Sequence, residues 1–93
     1  MAHDVFINVH TSKNIKEVVV KYDVLESYKS SNVTQFQENC TMFDIQGIEK
    51  NGERNVHTAL LLNLRADTKY VIQVWYYGVK RYTNIYKTPP DII

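Results

Sequence analysis

The chain has 93 residues, 44% of them hydrophobic and 23% charged, with a formal net charge of +1. These values describe one small globular domain, and they exclude a disordered tail or a strongly basic binder of nucleic acid. No apolar run approaches the ~18 residues that a membrane-spanning helix needs, and the single cysteine, Cys40, has no internal disulfide partner.

Met1-Ala2-His3 leads almost directly into a patterned segment. Residues 1–3 therefore read as residues added for expression, and no signal peptide is expected. From Asp4 to His10, "DVFINVH" alternates Val5, Ile7 and Val9 against Phe6 and Asn8. From Glu17 to Val24, "EVVVKYDV" places Val18, Val20, Tyr22 and Val24 on one face and Val19, Lys21 and Asp23 on the other. Both stretches read as half-buried strands, because successive strand side chains point to opposite faces. Thr11 to Asn14 is a polar turn between them, and Ser27 to Asn32 reads as a loop. "TQFQENCTMFDIQ" contains Phe36, Cys40, Phe43 and Ile45, which do not keep one parity, so a single irregular or bulged strand is expected.

Asn51-Gly52 is a turn signal, since both residues tolerate positive φ. "NVHTALLLNL" after it is compatible with a helical turn, but its shortness and β surroundings favour a strand. The longest clean alternation comes next, with Tyr70, Ile72, Val74 and Tyr76 on one face and Val71, Gln73, Trp75 and Tyr77 on the other. Gly78 supplies a turn, "RYTNIYKT" returns as the last strand, and Pro89-Pro90 ends the pairing. Lys80-Arg81, the densest basic point, reads as a solvated turn. Six to seven short strands with turns between them predict an all-β, antiparallel Greek-key sandwich of the fibronectin type III or immunoglobulin kind.

The spacing of Leu64, Thr68 and Tyr70 predicts a structural corner. Where a chain crosses between sheets, a tyrosine opening the next strand lays its ring on the core. Its hydroxyl then bonds the backbone a few residues upstream, and the leucine plugs the core.

"HTALLLNLRADTKYVIQVW" resembles the L-x-P-x-T-x-Y corner of fibronectin type III domains, with Ala66 where proline is usual. More narrowly, the chain is similar to the N-terminal fibronectin-like domain of purple acid phosphatases. "VHTALLLNL", "TKYVIQVWYYG" and "YKTPPD" carry that likeness, supported by "DVFINVHTS" and "VVVKYDV". Val9 stands where tryptophan is common, and Asp23 follows Tyr22 where glycine is usual. Residues 25–52 match only loosely. The usual first strand is missing, so an open edge is expected, and with it pairing into a homodimer.

The resemblance implies a domain over residues 4–88, with residues 89–93 starting a linker to a following domain. It implies a non-catalytic accessory domain that braces the catalytic domain of a metallophosphoesterase, or aids assembly with a second subunit. The parent would be a metal-dependent acid phosphatase acting on phosphate monoesters, secreted or lysosomal/vacuolar. Its dinuclear metal (iron with zinc, manganese or iron) would sit in the following domain, held by Gly-Asp, Gly-Asn-His and His-x-His motifs that do not occur here. The competing reading is a fibronectin-like binding or adhesion module for protein or carbohydrate.

No catalytic residue, cofactor site or metal site is expected in this chain. His3, His10 and His57 lack ligand spacing, and Glu49 and Glu53 read as solvated turn residues. Gly47, Gly52 and Gly78 are isolated and make no phosphate cradle. Asn32 and Asn39 head the sequons Asn32-Val33-Thr34 and Asn39-Cys40-Thr41, which become glycosylation sites if the parent enters a secretory route. By parity Val71, Trp75 and Tyr77 face away from the core, with Val19 and Ile85 on the same outer face. That face is either a docking surface or one covered by lysine stems and loops.

Overall fold

The computed structural model describes residues 3–45 and 54–90, with backbone alone for residues 43–45. Its elements run in the order β1 (His3–Ser12), β2 (Val19–Val24), α1 (Leu25–Ser31), β3 (Phe36–Asn39), β4 (Thr41–Ile45), β5 (Arg54–Leu64), β6 (Lys69–Tyr76) and β7 (Val79–Lys87). The strands form two antiparallel sheets, ordered β1-β5-β4 and β3-β2-β6-β7. Because β1 pairs with β5 and β2 with β6, the chain crosses between sheets after β1, after β3 and after β5. The result is an all-β sandwich, as the alternating stretches predict.

The core forms where the two inner faces meet. Val20, Tyr22, Tyr70 and Ile72 come from the four-stranded sheet, and Ala59, Leu61 and Leu64 from β5. Val5 and Ile7 of β1 pack against this cluster. Fully burying one such aliphatic side chain contributes ~1.5–3 kcal/mol, so a few residues hold the sheets together.

β5 shows why its period is hard to read in the sequence. Its burial alternates regularly from Arg54 to Leu61, with Asn55, His57, Ala59 and Leu61 inward. Two of those inward residues are polar. Near its end the alternation breaks at a bulge, where the register with β1 shifts between Val5↔Leu61 and His3↔Leu64. Asn63 takes the left-handed conformation there, with φ 60°. Its backbone N–H donates to Asp4 Oδ1 at 3.0 Å. The extra residue turns Leu64 back into the core, where it is 2% exposed.

Two expectations are corrected. Ser27 to Asn32, read as a loop, lies largely in α1. This helix ends at Asn32, whose φ of 58° is left-handed and whose N–H donates to the Tyr28 carbonyl at 2.7 Å. The single irregular strand expected after Thr34 is two strands in different sheets. β3 pairs with β2 and β4 with β5, and Cys40 alone bridges them. The lost parity is thus a change of sheet rather than a bulge. The expected turn at Asn51-Gly52, with Gly47, Glu49 and Glu53, lies outside the described residues.

The β6–β7 hairpin turns through Tyr77 and Gly78, with φ of 53° and 72°. Two consecutive positive φ values match the right-handed twist of a hairpin. Past the turn, a register shift at Arg81 lets its guanidinium donate to the Tyr76 carbonyl and lie 4.3 Å from the Tyr76 ring centroid.

Candidate functional site

The corner between β5 and β6 is built as its spacing implies. Tyr70 is 4% exposed, and its hydroxyl accepts the Arg65 N–H at 2.8 Å. Thr68 Oγ1 donates to the Ala66 carbonyl at 2.7 Å, closing a tight local turn. Asp67 sits in the left-handed region at φ 49°, which a short polar side chain tolerates. A further member, Thr88, has no signature in the sequence. It is 1% exposed, its hydroxyl accepts the Thr68 N–H at 3.0 Å, and it donates to the Arg65 carbonyl. Thr88 N–H also donates to the Thr68 carbonyl, and Asp67 N–H to the Pro89 carbonyl, each at 3.0 Å. The last described turn of chain is thereby clamped onto the corner. Buried polar atoms that find partners in this way fix a geometry as well as an energy.

The outer face of the four-stranded sheet carries the predicted contact residues, but it is largely covered. Val19, Val71 and Trp75 do share that face, since Val19 pairs with Trp75 and Asp23 with Val71. Ile85 lies opposite Val71 and is 53% exposed. The helix α1 crosses the same side, where Tyr28 Oη accepts a hydrogen bond from Gln73 Nε2 at 3.2 Å. Val71 is only 2% exposed, which corrects its assignment to an open patch. Trp75 is half-buried: Lys21 Nζ stands 4.0 Å from its ring centroid, and its indole N–H donates to Gln73 Oε1 at 2.9 Å. Tyr77 belongs to the turn. Its hydroxyl donates to the Asn14 carbonyl at 2.9 Å and accepts the Lys16 N–H at 3.3 Å, tying the hairpin tip to the β1–β2 loop. A lysine stem and a helix therefore interrupt the apolar strip on this face among the described residues.

Titratable side chains inside the sandwich are structural. His57 is fully buried and its Nε2 lies 2.9 Å from Thr11 Oγ1. Burial holds its pKa below the usual imidazole value, opposed by the nearby Ile15 carbonyl. Beside it the fully buried Asn55 donates through Nδ2 to the carbonyls of Lys13 and Ile15, at 3.1 and 2.8 Å. These two polar residues anchor the β1–β2 loop to the end of the core. Burial also pushes the Cys40 thiol up to about 11, so it is protonated and unreactive at neutral pH. Asn32 and Asn39, the sequon asparagines, are both exposed. Among the described residues no group of three or more His, Cys, Asp and Glu side chains is placed to hold a metal ion. Nor is any helix there long and apolar enough to cross a membrane.

The largest concavity among the described residues lies along the open side of the sandwich. It is a groove of about 640 Å³ between β1 and the inner faces of β6 and β7. Ile7, Val9, Ile72, Val74, Tyr82 and Tyr86 supply most of its apolar lining. The cause is a mismatch in sheet width: three strands face four. Tyr82 pairs with the inward Val74 and so points to the core side, yet it is 60% exposed, because no described strand of the other sheet lies over it. Sequence parity marks Tyr82 as inward but carries no information about the width of the opposing sheet.

No family model matches the chain, and neither a curated protein nor a solved structure matches it.

Proposed function

We propose that the chain is a non-catalytic accessory sandwich that braces a following catalytic domain, of the purple acid phosphatase type that its corner and tail resemble. The observation that carries this reading is the clamp on the exit segment. Thr88 and Pro89 are bonded to Arg65, Asp67 and Thr68, so the chain leaves the sandwich at Pro89-Pro90 from a fixed point. Two successive prolines keep the chain extended beyond that point. A rigid exit of this kind suits a domain that must hold a neighbour in one orientation rather than swing on a flexible tether. The chemistry would belong to the neighbour, with its dinuclear metal and its phosphate monoester substrates. The exposed Asn32 and Asn39 are compatible with a secreted or lysosomal/vacuolar parent.

The gene beyond Ile93 tests this. It is expected to encode Gly-Asp, Gly-Asn-His and His-x-His motifs, and the longer protein is expected to bind two metal ions and hydrolyse p-nitrophenyl phosphate. A second sandwich repeat in that place would overturn the phosphatase reading. It would favour instead an adhesion-type module that recognises protein or carbohydrate, for which the tyrosine-lined groove is the supporting observation.

A further inference from the structure

We propose that the chain forms a two-fold dimer through the outer edge of β1, each copy lending its β1 as a fourth strand to the other's three-stranded sheet. Such a dimer is independent of any domain encoded beyond Ile93.

The four edge strands of the described sheets are not alike. β3 and β4 have 4 and 5 residues, too short to template a long partner. β7 has 9 residues but carries Lys80, Arg81 and Lys87 and a register shift, features that discourage edge pairing. β1 has 10 residues, and from Val5 to Ser12 it contains no acidic residue, lysine, arginine or proline. Its register with β5 is unbroken over those same eight positions. A long, regular, uncharged edge is the kind that pairs with another chain.

The groove beside this edge asks for a strand with alternating apolar side chains, to hydrogen-bond β1 and cover Tyr82 and Tyr86. β1 itself has that pattern, with Val5, Ile7 and Val9 inward. An antiparallel pairing centred on Ile7 is self-complementary. It sets Val5 against the partner's Val9 on the groove side. On the outer side it sets Phe6 against the partner's Asn8 and the Asp4 carboxylate against the imidazole of the partner's His10. Both contacts occur twice, as two-fold symmetry requires. The dimer then closes, because each copy fills its partner's groove and uses its own open edge in doing so. Phe6 and Asn8 are exposed, so this register can be tested without touching the core.

Sedimentation velocity of the 93-residue chain over the micromolar range is expected to show a monomer–dimer equilibrium. His10→Glu, which opposes two pairs of carboxylates across the interface, is expected to raise the dimer Kd about tenfold. For the register, Phe6→Cys and Asn8→Cys chains are made in a Cys40→Ser background and mixed under oxidation. Disulfide-linked heterodimers are expected to exceed either homodimer. A chain that stays monomeric throughout would overturn the proposal. So would a dimer in which the two cysteine variants cross-link only with themselves.

Discussion

Leu64→Ala is expected to cost the domain ~3–5 kcal/mol, the upper part of the range for truncating a buried leucine. Leu64 is 2% exposed and belongs to the cluster with Tyr22, Leu61, Tyr70 and Ile72. The cost of such a truncation depends on how far the surroundings can collapse into the space left behind. Here they are held from two sides. The Asn63 bulge is tied to Asp4 on one side, and the Tyr70 ring is pinned through Arg65 on the other. Stability of ~0.05–0.15 kcal/mol per residue is typical, so the loss is a large fraction of the total. Leu62 is the internal control: only two positions away, it is 51% exposed. Leu62→Ala is expected to stay within about 0.5 kcal/mol of the parent. Urea melts of the two variants measure the contrast, and equal effects would remove Leu64 from its role as core plug.

The second large effect is acid lability through His57. This imidazole is buried in the neutral form, and burial lowers its pKa in the folded chain. In the unfolded chain the group titrates at ~6.5. Below that pH the unfolded state binds a proton that the folded state refuses, so stability rises with pH across the window. His57 therefore contributes its full stability above ~6.5. The contribution is lost as pH falls from there towards the folded pKa, at ~1.4 kcal/mol for each pH unit. Other carboxylates and histidines titrate in the same region, so the comparison is with His57→Gln. The parent chain is expected to lose stability more steeply than this variant as pH drops below neutrality. Parallel curves would mean that the imidazole is protonated in the folded chain as readily as in the unfolded one.

What the sequence disclosed depended on whether local pattern and tertiary setting agreed. β6 and the corner were legible because Tyr70, Ile72 and Val74 alternate without interruption and all face one core. β5 was harder because its inward side begins with Asn55 and His57, which look like surface residues until their bonds to β1 and the β1–β2 loop are seen. α1 was missed because it has 7 residues and no side-chain cap at its start. Its only signals were Leu25 and Tyr28, three apart, and the left-handed Asn32. That omission carried over to the outer face. Parity grouped Val19, Val71 and Trp75 correctly, but parity cannot show that a helix lies over Val71 or that Lys21 lies over Trp75. Thr88 stayed hidden for a different reason. A threonine before two prolines looks like the start of a tail, and only its partners across the corner give it a role.

Three side chains, Leu64, Tyr70 and Thr88, lock the corner and the tail together, and both the fold and the rigid exit depend on that lock. Amide hydrogen exchange measures it directly, at Arg65 and Thr68. The Arg65 N–H is held by the Tyr70 hydroxyl, and the Thr68 N–H by the Thr88 hydroxyl. Both amides are expected to exchange about as slowly as the core strands, and in Tyr70→Phe the Arg65 amide is expected to lose its protection. Exchange of both amides at the rate of an open loop in the parent chain would contradict a locked corner.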